Sequence, residues 1–370
     1  MTDTLSLLVP QPQEIQQREG AFTLPDLIRI HVAAPAQAHL FTGDYLAEQL
    51  NEMGLRTALT ASAAGNPAIT LHVDPHLLPK AESYRLLVDE TGVLVIGADR
   101  AGLFYGVVTL CQLVQLHLDE DAVSLPHLLI TDWPDFPHRG IMLDISRDKV
   151  PSMETLFDLI DLAASLKLNQ LQLYMEHTFA YQGHEEVWAL ASPLTGEEVL
   201  TLDAYARERF VELVPNQNSL GHMHRWLKHD RYRHLAEMPE GTPHPFHPDP
   251  EPFSLCPEDP GSLDLIRDLY HQLLPHFSSR QFNVGLDETF DIGLGRSKAA
   301  CAERGAKRVY LDYLLKVHEE VRRRGRVMQF WGDIIIQEPA LIPELPKDAI
   351  ALEWGYDAAH PFEEHGRHFA

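Results

Sequence analysis

Six short apolar runs, separated by segments with helical periodicity, follow residue 132 and constrain the fold more than any other feature. They cover residues 140–145, 171–175, 211–214, 282–284, 327–331 and 350–354. The runs are continuous rather than alternating in polarity, which indicates strands buried on both faces, and helices between such strands are typical of a parallel sheet. The first intervening helix, behind Ser152, has an apolar face with Leu156, Leu159, Ile160 and Ala163. The sequence therefore predicts an α/β fold.

Polar residues cluster directly after nearly every one of these runs. A (β/α)₈ TIM-type barrel keeps its active site at the carboxyl ends of its parallel strands, so this arrangement favours a barrel over a twisted open sheet. The runs begin about 42 residues apart on average, and two further strand–helix units would need about 80 more residues than the 370 present. We therefore expect a barrel of which this sequence lacks the last two strands.

The first 131 residues have a different pattern. We predict strands at residues 28–32, 68–73, 84–88 and 93–96, and helices at residues 40–53 and 103–116. The region contains no evident nucleophile or metal cluster, and an accessory role is the simplest interpretation. The predicted organisation is an α+β accessory domain at residues 1–131, a turn-forming Pro-rich boundary, and a catalytic barrel at residues 132–370.

Charge and cysteine content exclude several classes of function. The net charge of −24 argues against nucleic acid, whose phosphates require clusters of Lys and Arg, and favours a neutral substrate. No run of about 18 apolar residues is present, so we predict no membrane partner. The first residues lack the features of a secretory signal, and three widely spaced cysteines suit a reducing compartment. A cytoplasmic location is expected.

The strongest candidate for chemistry is the adjacent pair Asp287 and Glu288, which follows the fourth run. Neighbouring strand residues point to opposite faces, so this pair is poorly placed to flank a glycosidic bond as acid and nucleophile. A division of labour fits better. One carboxyl would act as general acid/base and its neighbour would orient the substrate, whose own 2-acetamido carbonyl would be the nucleophile.

Three further candidates lie at strand ends. Arg139 opens the first strand, and its forked donors could hold vicinal sugar hydroxyls, although a surface or interdomain salt bridge is the simpler alternative. Trp331 and Trp354 end the fifth and sixth strands and could form the walls of a sugar pocket, because the apolar face of a sugar packs on an aromatic ring. For each tryptophan, packing in the hydrophobic core is the alternative.

The loop after the third run is too polar for a core and reads as an active-site loop. It contains His222 and His224, and more histidines follow at His229, His234, His244 and His247. The group lacks an established ligand spacing such as His-Glu-x-x-His and an evident carboxylate partner. We predict no metal site here; a metal-dependent barrel hydrolase is an alternative.

These motifs resemble glycoside hydrolase family 20, the β-N-acetylhexosaminidases. Residues 139–147 are similar to the first-strand motif of the family, and residues 285–288, Gly-Leu-Asp-Glu, to its catalytic motif. Gly221-His222 matches the third-strand histidine of the family, and Trp331 its fifth-strand tryptophan. The N-terminal region resembles the accessory domain of the family at Pro10-Gln11-Pro12, Glu82-Ser83-Tyr84 and residues 101–106.

The resemblance implies an exo-acting, retaining hydrolase without a cofactor. It would remove terminal N-acetylglucosamine or N-acetylgalactosamine from an oligosaccharide or glycoconjugate through an oxazolinium intermediate. Glu288 would protonate the leaving oxygen and later activate water, and Asp287 would hold the acetamido N–H. Arg139 would bind sugar hydroxyls, while Trp331 and Trp354 would enclose the acetamido group.

The second strand departs from the family pattern. The family usually has an Asp pair there, whereas this chain has Met175-Glu176-His177, so Glu176 is the candidate substrate-binding residue at this position and His222 is expected in the pocket wall. The seventh and eighth strands of the family carry a pocket tyrosine and a further tryptophan, which this sequence does not reach. A catalytically inactive sugar-binding remnant and a barrel completed by association, such as a homo-oligomer, are therefore alternatives.

Overall fold

A computed structural model of the chain describes residues 4–76, 79–119, 122–245 and 247–370. The described residues form two units. The first comprises those of Met1–Arg139 with Ile160–Asn169 and Glu208–Val211, and the second those of Gly140–Leu159, Gln170–Arg207 and Glu212–Ala370. No helix in these described ranges combines the length and the apolar character needed to cross a membrane.

A seven-stranded mixed sheet with two helices forms most of the first unit, after a 3₁₀ turn at Thr4–Leu7. Its elements are β1 (Glu14–Thr23), β2 (Leu27–Val32), α1 (Ala36–Glu52), β3 (Arg56–Thr60), β4 (Ile69–Val73), β5 (Tyr84–Asp89), β6 (Gly92–Gly97), α2 (Arg100–Leu116) and β7 (Ser124–Asp132). The strand order is β1-β7-β5-β6-β4-β2-β3. The four predicted strands and both predicted helices are confirmed to within a few residues at their ends.

Helix α2 forms the centre of the hydrophobic core of this unit. The helix is apolar nearly all round and buried along most of its length, as expected for a core helix. The side chain of Asp99 caps it, since Oδ1 accepts the backbone N–H of Gly102 at 2.8 Å. A Cβ on Gly102 would lie 2.1 Å from the carbonyl oxygen of Ser83, so the first turn of α2 packs directly on the backbone before β5.

From Gly140 onward, strands and helices alternate. The elements are β8 (Gly140–Asp144), α3 (Met153–Ser165), β9 (Gln170–Tyr174), α4 (Glu185–Trp188), α5 (Gly196–Glu208), β10 (Glu212–Val214), α6 (His224–Leu227), α7 (Asp230–Arg233), β11 (Thr242–His244), β12 (His247–Glu251), α8 (Pro260–Leu273), β13 (Gln281–Asn283), α9 (Lys298–Arg304), α10 (Ala306–Arg323), β14 (Val327–Trp331), β15 (Ile350–Leu352) and α11 (Phe362–Phe369). Short 3₁₀ turns lie at Leu274–His276, Ile335–Gln337 and Pro339–Glu344.

All six predicted strands of the barrel region are present, and each lies beside its neighbour in the chain. Strands β8, β9 and β10 pair in parallel, as do β13, β14 and β15. A parallel bridge between Asn216 and Asn283 links the two groups. The carboxyl ends of the six strands therefore meet along one edge, which is where a barrel builds its active site. Strands β11 and β12 form a separate antiparallel pair.

Buried amide side chains tie three of these strands together. Gln172 of β9 donates from Nε2 to Oε1 of Gln329 on β14 at 2.8 Å, and Asn283 of β13 donates from Nδ2 to Oε1 of Gln172 at 3.1 Å. Each of the three residues is at most 6% exposed. Because a buried amide is stable only when it is hydrogen-bonded, this network favours one register of the strands over its neighbours.

Candidate active site

A cavity of about 540 Å³ lies at the carboxyl ends of the parallel strands. This volume is within the range of small-molecule sites. Five predicted site residues line it, namely Asp287, Glu288, His222, Trp331 and Trp354. The other lining residues are Met142, Asp144, Arg147, Tyr174, Pro245, Gly355 and Tyr356. Strands distant in sequence therefore deliver these side chains to one concave surface.

The acidic pair lies on an irregular turn rather than on a strand. Strand β13 ends at Asn283, and φ is positive at Gly285 (71°), Leu286 (73°) and Glu288 (49°). A positive φ is uncommon for residues other than Gly and is concentrated at functional sites. Because the backbone turns here, the alternation of a strand does not apply, and the prediction that the two carboxyls face opposite sides is wrong. Both carboxyls contact the same imidazole, that of His222.

The loop that carries His222 packs tightly against this turn. A Cβ on Gly221 would lie 2.2 Å from the carbonyl oxygen of Asp287. A side chain at position 221 would therefore displace the backbone of Asp287. The Gly-His pair brings the imidazole next to both carboxylates because the residue before it has no side chain.

His222 bridges three carboxylates. Its Nε2 lies 3.1 Å from Oε2 of Glu288 and 3.3 Å from Oδ2 of Asp287, and its Nδ1 lies 3.2 Å from Oε1 of Glu176. Burial by itself lowers the pKa of His222, but hydrogen bonds to Asp287, Glu176 and Glu288 outweigh that effect and hold the pKa well above its usual range. His222 is therefore a buried imidazolium at neutral pH.

Glu176 connects this imidazolium to an arginine. Its side chain is fully buried, and Oε1 accepts hydrogen bonds from Nη1 of Arg147 at 2.6 Å and from the hydroxyl of Tyr174 at 3.1 Å. Burial raises the pKa of Glu176, but His222 and Arg147 outweigh it and lower the pKa to about 2. Glu176 thus stays ionised and holds two cations beside the cavity. Glu176 itself lies behind His222 and not on the cavity wall.

Comparison with known families identifies the chain. Residues 6–133 match the model described as glycosyl hydrolase family 20, domain 2, and residues 136–367 match that of the glycosyl hydrolase family 20 catalytic domain. The chain belongs to glycosyl hydrolase family 20. Among curated relatives, a β-hexosaminidase of Porphyromonas gingivalis is 26% identical over 94% of this chain and 47% of its own length. A β-hexosaminidase of Vibrio furnissii is 24% identical over 95% of this chain and 60% of its own length. The chain thus spans about half to three-fifths of these relatives.

Solved family 20 structures have the same fold. The N-acetyl-β-hexosaminidase of Streptomyces plicatus in complex with Thio-NAglucal superposes with a TM-score of 0.80 at 22% identity, covering 99% of this chain and 72% of its own. The exo-β-N-acetylglucosaminidase of Vibrio harveyi in complex with N-acetylglucosamine also gives 0.80, at 20% identity, covering 98% and 59%. This likeness shows a TIM-barrel catalytic domain preceded by an accessory domain, as predicted.

Arg139 does not line the cavity in this family 20 chain. Its guanidinium is engaged within the first unit, where Nη2 donates to Oε2 of Glu82 at 2.8 Å, Nε to the carbonyl of Lys167 at 3.1 Å and Nη1 to the carbonyl of Phe136 at 2.6 Å. A guanidinium held by three acceptors has little capacity for a sugar. The salt-bridge alternative, not sugar binding, agrees with this geometry.

Arg147 is the guanidinium that faces the cavity, and the sequence reasoning missed it. It lies three residues beyond the end of β8, and its side chain is 37% exposed. The nearby carboxylates of Glu176 and Asp144 outweigh its partial burial and raise its pKa. The rule that site residues follow the strand would have selected Arg147 over Arg139, which precedes the strand.

The two tryptophans present unused donors near the cavity. The indole Nε1 atoms of Trp331 and Trp354 are buried, yet neither has a hydrogen-bond acceptor among the described residues. Buried N–H groups usually have a partner, so these donors can serve a bound polar ligand. Both side chains line the cavity, as predicted for pocket walls.

Asp333 is a second residue that the sequence reasoning missed. It lies two residues after Trp331, and its Oδ2 accepts the backbone N–H of Glu288 at 3.1 Å. Burial and repulsion from Asp287 raise the pKa of Asp333 to about 7. Asp333 therefore positions the strained turn that carries Glu288, and it gains its charge near neutral pH.

One geometric observation at this site supports the alternative of a metal-dependent hydrolase. One ligand atom each from His222, Asp287 and Glu288 lies within 4.8 Å of the others, so the three could hold a cation. Coordination requires a deprotonated imidazole nitrogen, however, and the raised pKa of His222 opposes this. The geometry favours an imidazolium bridge over a metal site.

We predict that Asp333→Asn stabilises the fold in a pH-dependent way. The carboxyl has a pKa of about 7 in the folded chain and about 4 when unfolded, so the folded state binds more protons between these values and stability falls as pH rises through that window. The amide cannot ionise. We expect the variant to gain about 2 kcal/mol over wild type near pH 8 and almost nothing near pH 4.

Urea unfolding at both pH values measures this difference. The exposed residue Asp357 supplies the matched control, since Asp357→Asn makes the same chemical change at the surface. An Asp333→Asn effect that is the same at pH 4 and pH 8 would mean that Asp333 has an ordinary pKa.

Proposed function

We propose that this chain hydrolyses terminal, non-reducing N-acetylglucosamine or N-acetylgalactosamine residues as an exo-acting β-N-acetylhexosaminidase. The observation that carries the proposal is the pairing of Asp287 and Glu288 against one imidazolium in a cavity walled by Trp331 and Trp354. The similarity to the β-hexosaminidases of Porphyromonas gingivalis and Vibrio furnissii supports the same activity.

The reaction uses the acetamido group of the substrate as its nucleophile. The acetamido oxygen attacks C1 while the bond from C1 to the leaving oxygen breaks, and Glu288 gives its proton to that oxygen. The product of this step is a cyclic oxazolinium ion. Water then attacks C1 from the face that the leaving group vacated, Glu288 takes its proton, and the C1–oxazolinium oxygen bond breaks. Two inversions at C1 give net retention.

Asp287 stabilises the positive charge that develops in the first step. Its carboxylate lies beside Glu288, so it can accept the acetamido N–H while Glu288 reaches the leaving oxygen. Asp287 is 8% exposed, which weakens solvent screening of its charge. Adjacent carboxyls with separate duties fit this mechanism better than an acid and a protein nucleophile on opposite sides of the bond.

Arg147 and the tryptophans bind the sugar ring. Arg147 lines the cavity while it stays paired with Glu176, so its guanidinium can donate to hydroxyls of a bound sugar. Trp331 and Trp354 offer aromatic faces to the ring and the acetamido methyl. Their indole N–H groups, which have no acceptor among the described residues, can donate to polar atoms of the sugar. The binding assignment moves from Arg139 to Arg147. Glu176, predicted to bind substrate, does not line the cavity and instead pairs with Arg147 and His222, while the roles predicted for Asp287, Glu288, Trp331 and Trp354 are kept.

A hydrolysis assay with product analysis tests the proposal. The 4-nitrophenyl N-acetyl-β-glucosaminide and its galacto isomer should be cleaved, and NMR should detect the β-anomer of the free sugar first. Activity should survive chelation by EDTA. The matched substrate, 4-nitrophenyl β-glucoside, lacks the acetamido group and should be a poor substrate. An α-anomer formed first, equal cleavage of the glucoside, or sugar binding without turnover would each contradict the proposal.

A further inference from the structure

A second cluster of ligating side chains lies on the loop between β15 and α11. It consists of Glu353, His360 and His365, and one ligand atom from each lies within 4.8 Å of the others. Glu353 follows β15 directly, His360 lies two residues before α11, and His365 lies in the first half of that helix. These residues do not line the cavity described above.

Both imidazoles converge on one carboxylate oxygen. Nε2 of His360 lies 2.8 Å from Oε1 of Glu353, and Nδ1 of His365 lies 2.6 Å from the same oxygen. The two rings are perpendicular, with centroids 5.2 Å apart. The three side chains are 14–23% exposed, so the cluster is sheltered but open to small ions.

If hydrogen bonds alone hold this cluster together, one of the two carboxylate oxygens of Glu353 is not used. Oε2 of Glu353 is buried and has no hydrogen-bond partner among the described residues. An unpaired buried carboxylate oxygen is costly, and such groups call for an explanation such as an ion. Both hydrogen bonds reach Oε1 instead, so the arrangement satisfies the histidines better than the carboxylate.

The same three groups form a donor set suited to zinc. Neutral imidazole nitrogen and carboxylate oxygen are common zinc ligands, at about 2.0–2.2 Å from the ion. Each histidine can place its proton on the outer ring nitrogen, which leaves the inward nitrogen free to coordinate. The inward atoms are already neighbours, and small side-chain rotations would separate them enough to admit an ion.

We propose that Glu353, His360 and His365 bind a divalent transition metal ion of the zinc class. Backbone hydrogen bonds preorganise the two histidines, since the N–H of His360 donates to the carbonyl of Asp357 at 3.0 Å and that of His365 to the carbonyl of Pro361 at 3.0 Å. The ion would join the end of β15 to the start of α11.

Metal binding at this site would fix part of the wall of the candidate active-site cavity. Trp354, Gly355 and Tyr356 line the cavity and belong to the loop that the metal would close. A Cβ on Gly355 would lie 2.3 Å from the ring of His360, so the loop packs directly on one ligand. The rings of Trp354 and Tyr356 pack edge to face, with centroids 5.5 Å apart. Metal binding therefore stabilises the loop that carries both aromatic side chains.

Metal titration of the purified 370-residue chain tests the site without reference to hydrolysis. After removal of metals with EDTA, Zn²⁺ is titrated by calorimetry and Co²⁺ by its visible absorption. We expect one ion per chain, a tetrahedral Co²⁺ spectrum and a higher melting temperature. His360→Ala and His365→Ala should each weaken binding by about 100-fold or more, because even second-shell changes weaken metal sites 10- to 100-fold.

Matched variants locate the ion. His368 is exposed on the same helix, so His368→Ala should bind metal like wild type. Asp287→Asn removes a ligand of the other candidate group and should also leave binding intact. His365→Gln keeps a polar side chain and should lose binding while circular dichroism remains unchanged. Absence of saturable binding, binding lost in Asp287→Asn, or binding retained in both His360→Ala and His365→Ala overturns the proposal.

Discussion

Glu288→Gln should reduce turnover far more for a poor leaving group than for a good one. An alkoxide leaves only with a proton, so we expect about a 10⁴-fold loss with methyl N-acetyl-β-glucosaminide, near the upper end for general acid catalysis. A nitrophenolate leaves without one, so the 4-nitrophenyl glycoside should lose only about 100-fold. The residual loss reflects the second step, in which Glu288 acts as base. Initial rates at substrate saturation provide the comparison.

The assignment of Glu288 as general acid rests on the difference between the losses of turnover with the two substrates, and not on either loss alone. Misfolding or a displaced loop would lower both rates equally. Glu338 is exposed in the same unit, so Glu338→Gln supplies a variant with the same chemical change outside the cavity. Equal losses with the two substrates would exclude Glu288 as the general acid.

The strands of the barrel were predictable because burial on both faces requires continuous apolar runs. All six runs correspond to observed strands, although β13 is offset from its predicted range and β15 is shorter than its predicted range. In the first unit, strands β1, β3 and β7 were missed, and β1 was missed for the opposite reason. Its side chains are mostly exposed and polar, and it is held by pairing with β7, a long-range contact without a local signature.

The composition of the site was easier to predict than its geometry. Asp287, Glu288, His222 and both tryptophans were selected because polar or aromatic residues follow buried strands. The direction of each side chain depends on local backbone torsion. The left-handed turn at Gly285 and Leu286 could not be inferred from a pattern, so the two carboxyls were placed on opposite faces.

The link from His222 to Glu176 was also outside the reach of the sequence. These residues are 46 positions apart and lie after neighbouring strands, β9 and β10. The order of the strands in the sheet brings Glu176 and His222 together. The distance between their side chains then shows that Glu176 is the counter-ion of His222. Nδ1 of His222 contacts Glu176, while Nε2 on the other side of the ring contacts Asp287 and Glu288. The buried Glu176 therefore contributes, with Asp287 and Glu288, to the charge of the imidazole that contacts both of these side chains.

Asp287→Asn should impair both classes of substrate to a similar extent. A full charge about 4 Å from the developing cation contributes about 4 kcal/mol at an effective dielectric constant of 20, which corresponds to about a 10³-fold rate. The amide is isosteric but neutral, so this stabilisation is lost whether or not the leaving group needs a proton. The asparagine amide can also turn its own N–H toward the acetamido N–H, and two donors that face each other form no hydrogen bond. We expect about a 10³-fold lower kcat with the methyl and the 4-nitrophenyl glycosides alike.

An independent readout separates the charge of Asp287 from its position. Hydrogen bonds that the imidazolium of His222 donates to three carboxylates raise its pKa, and the bond to Asp287 has the largest effect among them. In Asp287→Asn the imidazole pKa measured by NMR should therefore fall, while Asp148→Asn, an exposed change outside the cavity, should leave it unaltered. A variant with wild-type turnover would remove substrate assistance from the mechanism. A large loss of turnover with an unchanged His222 pKa would place Asp287 away from the imidazole in solution, and the charge network around His222 would then need a different third member.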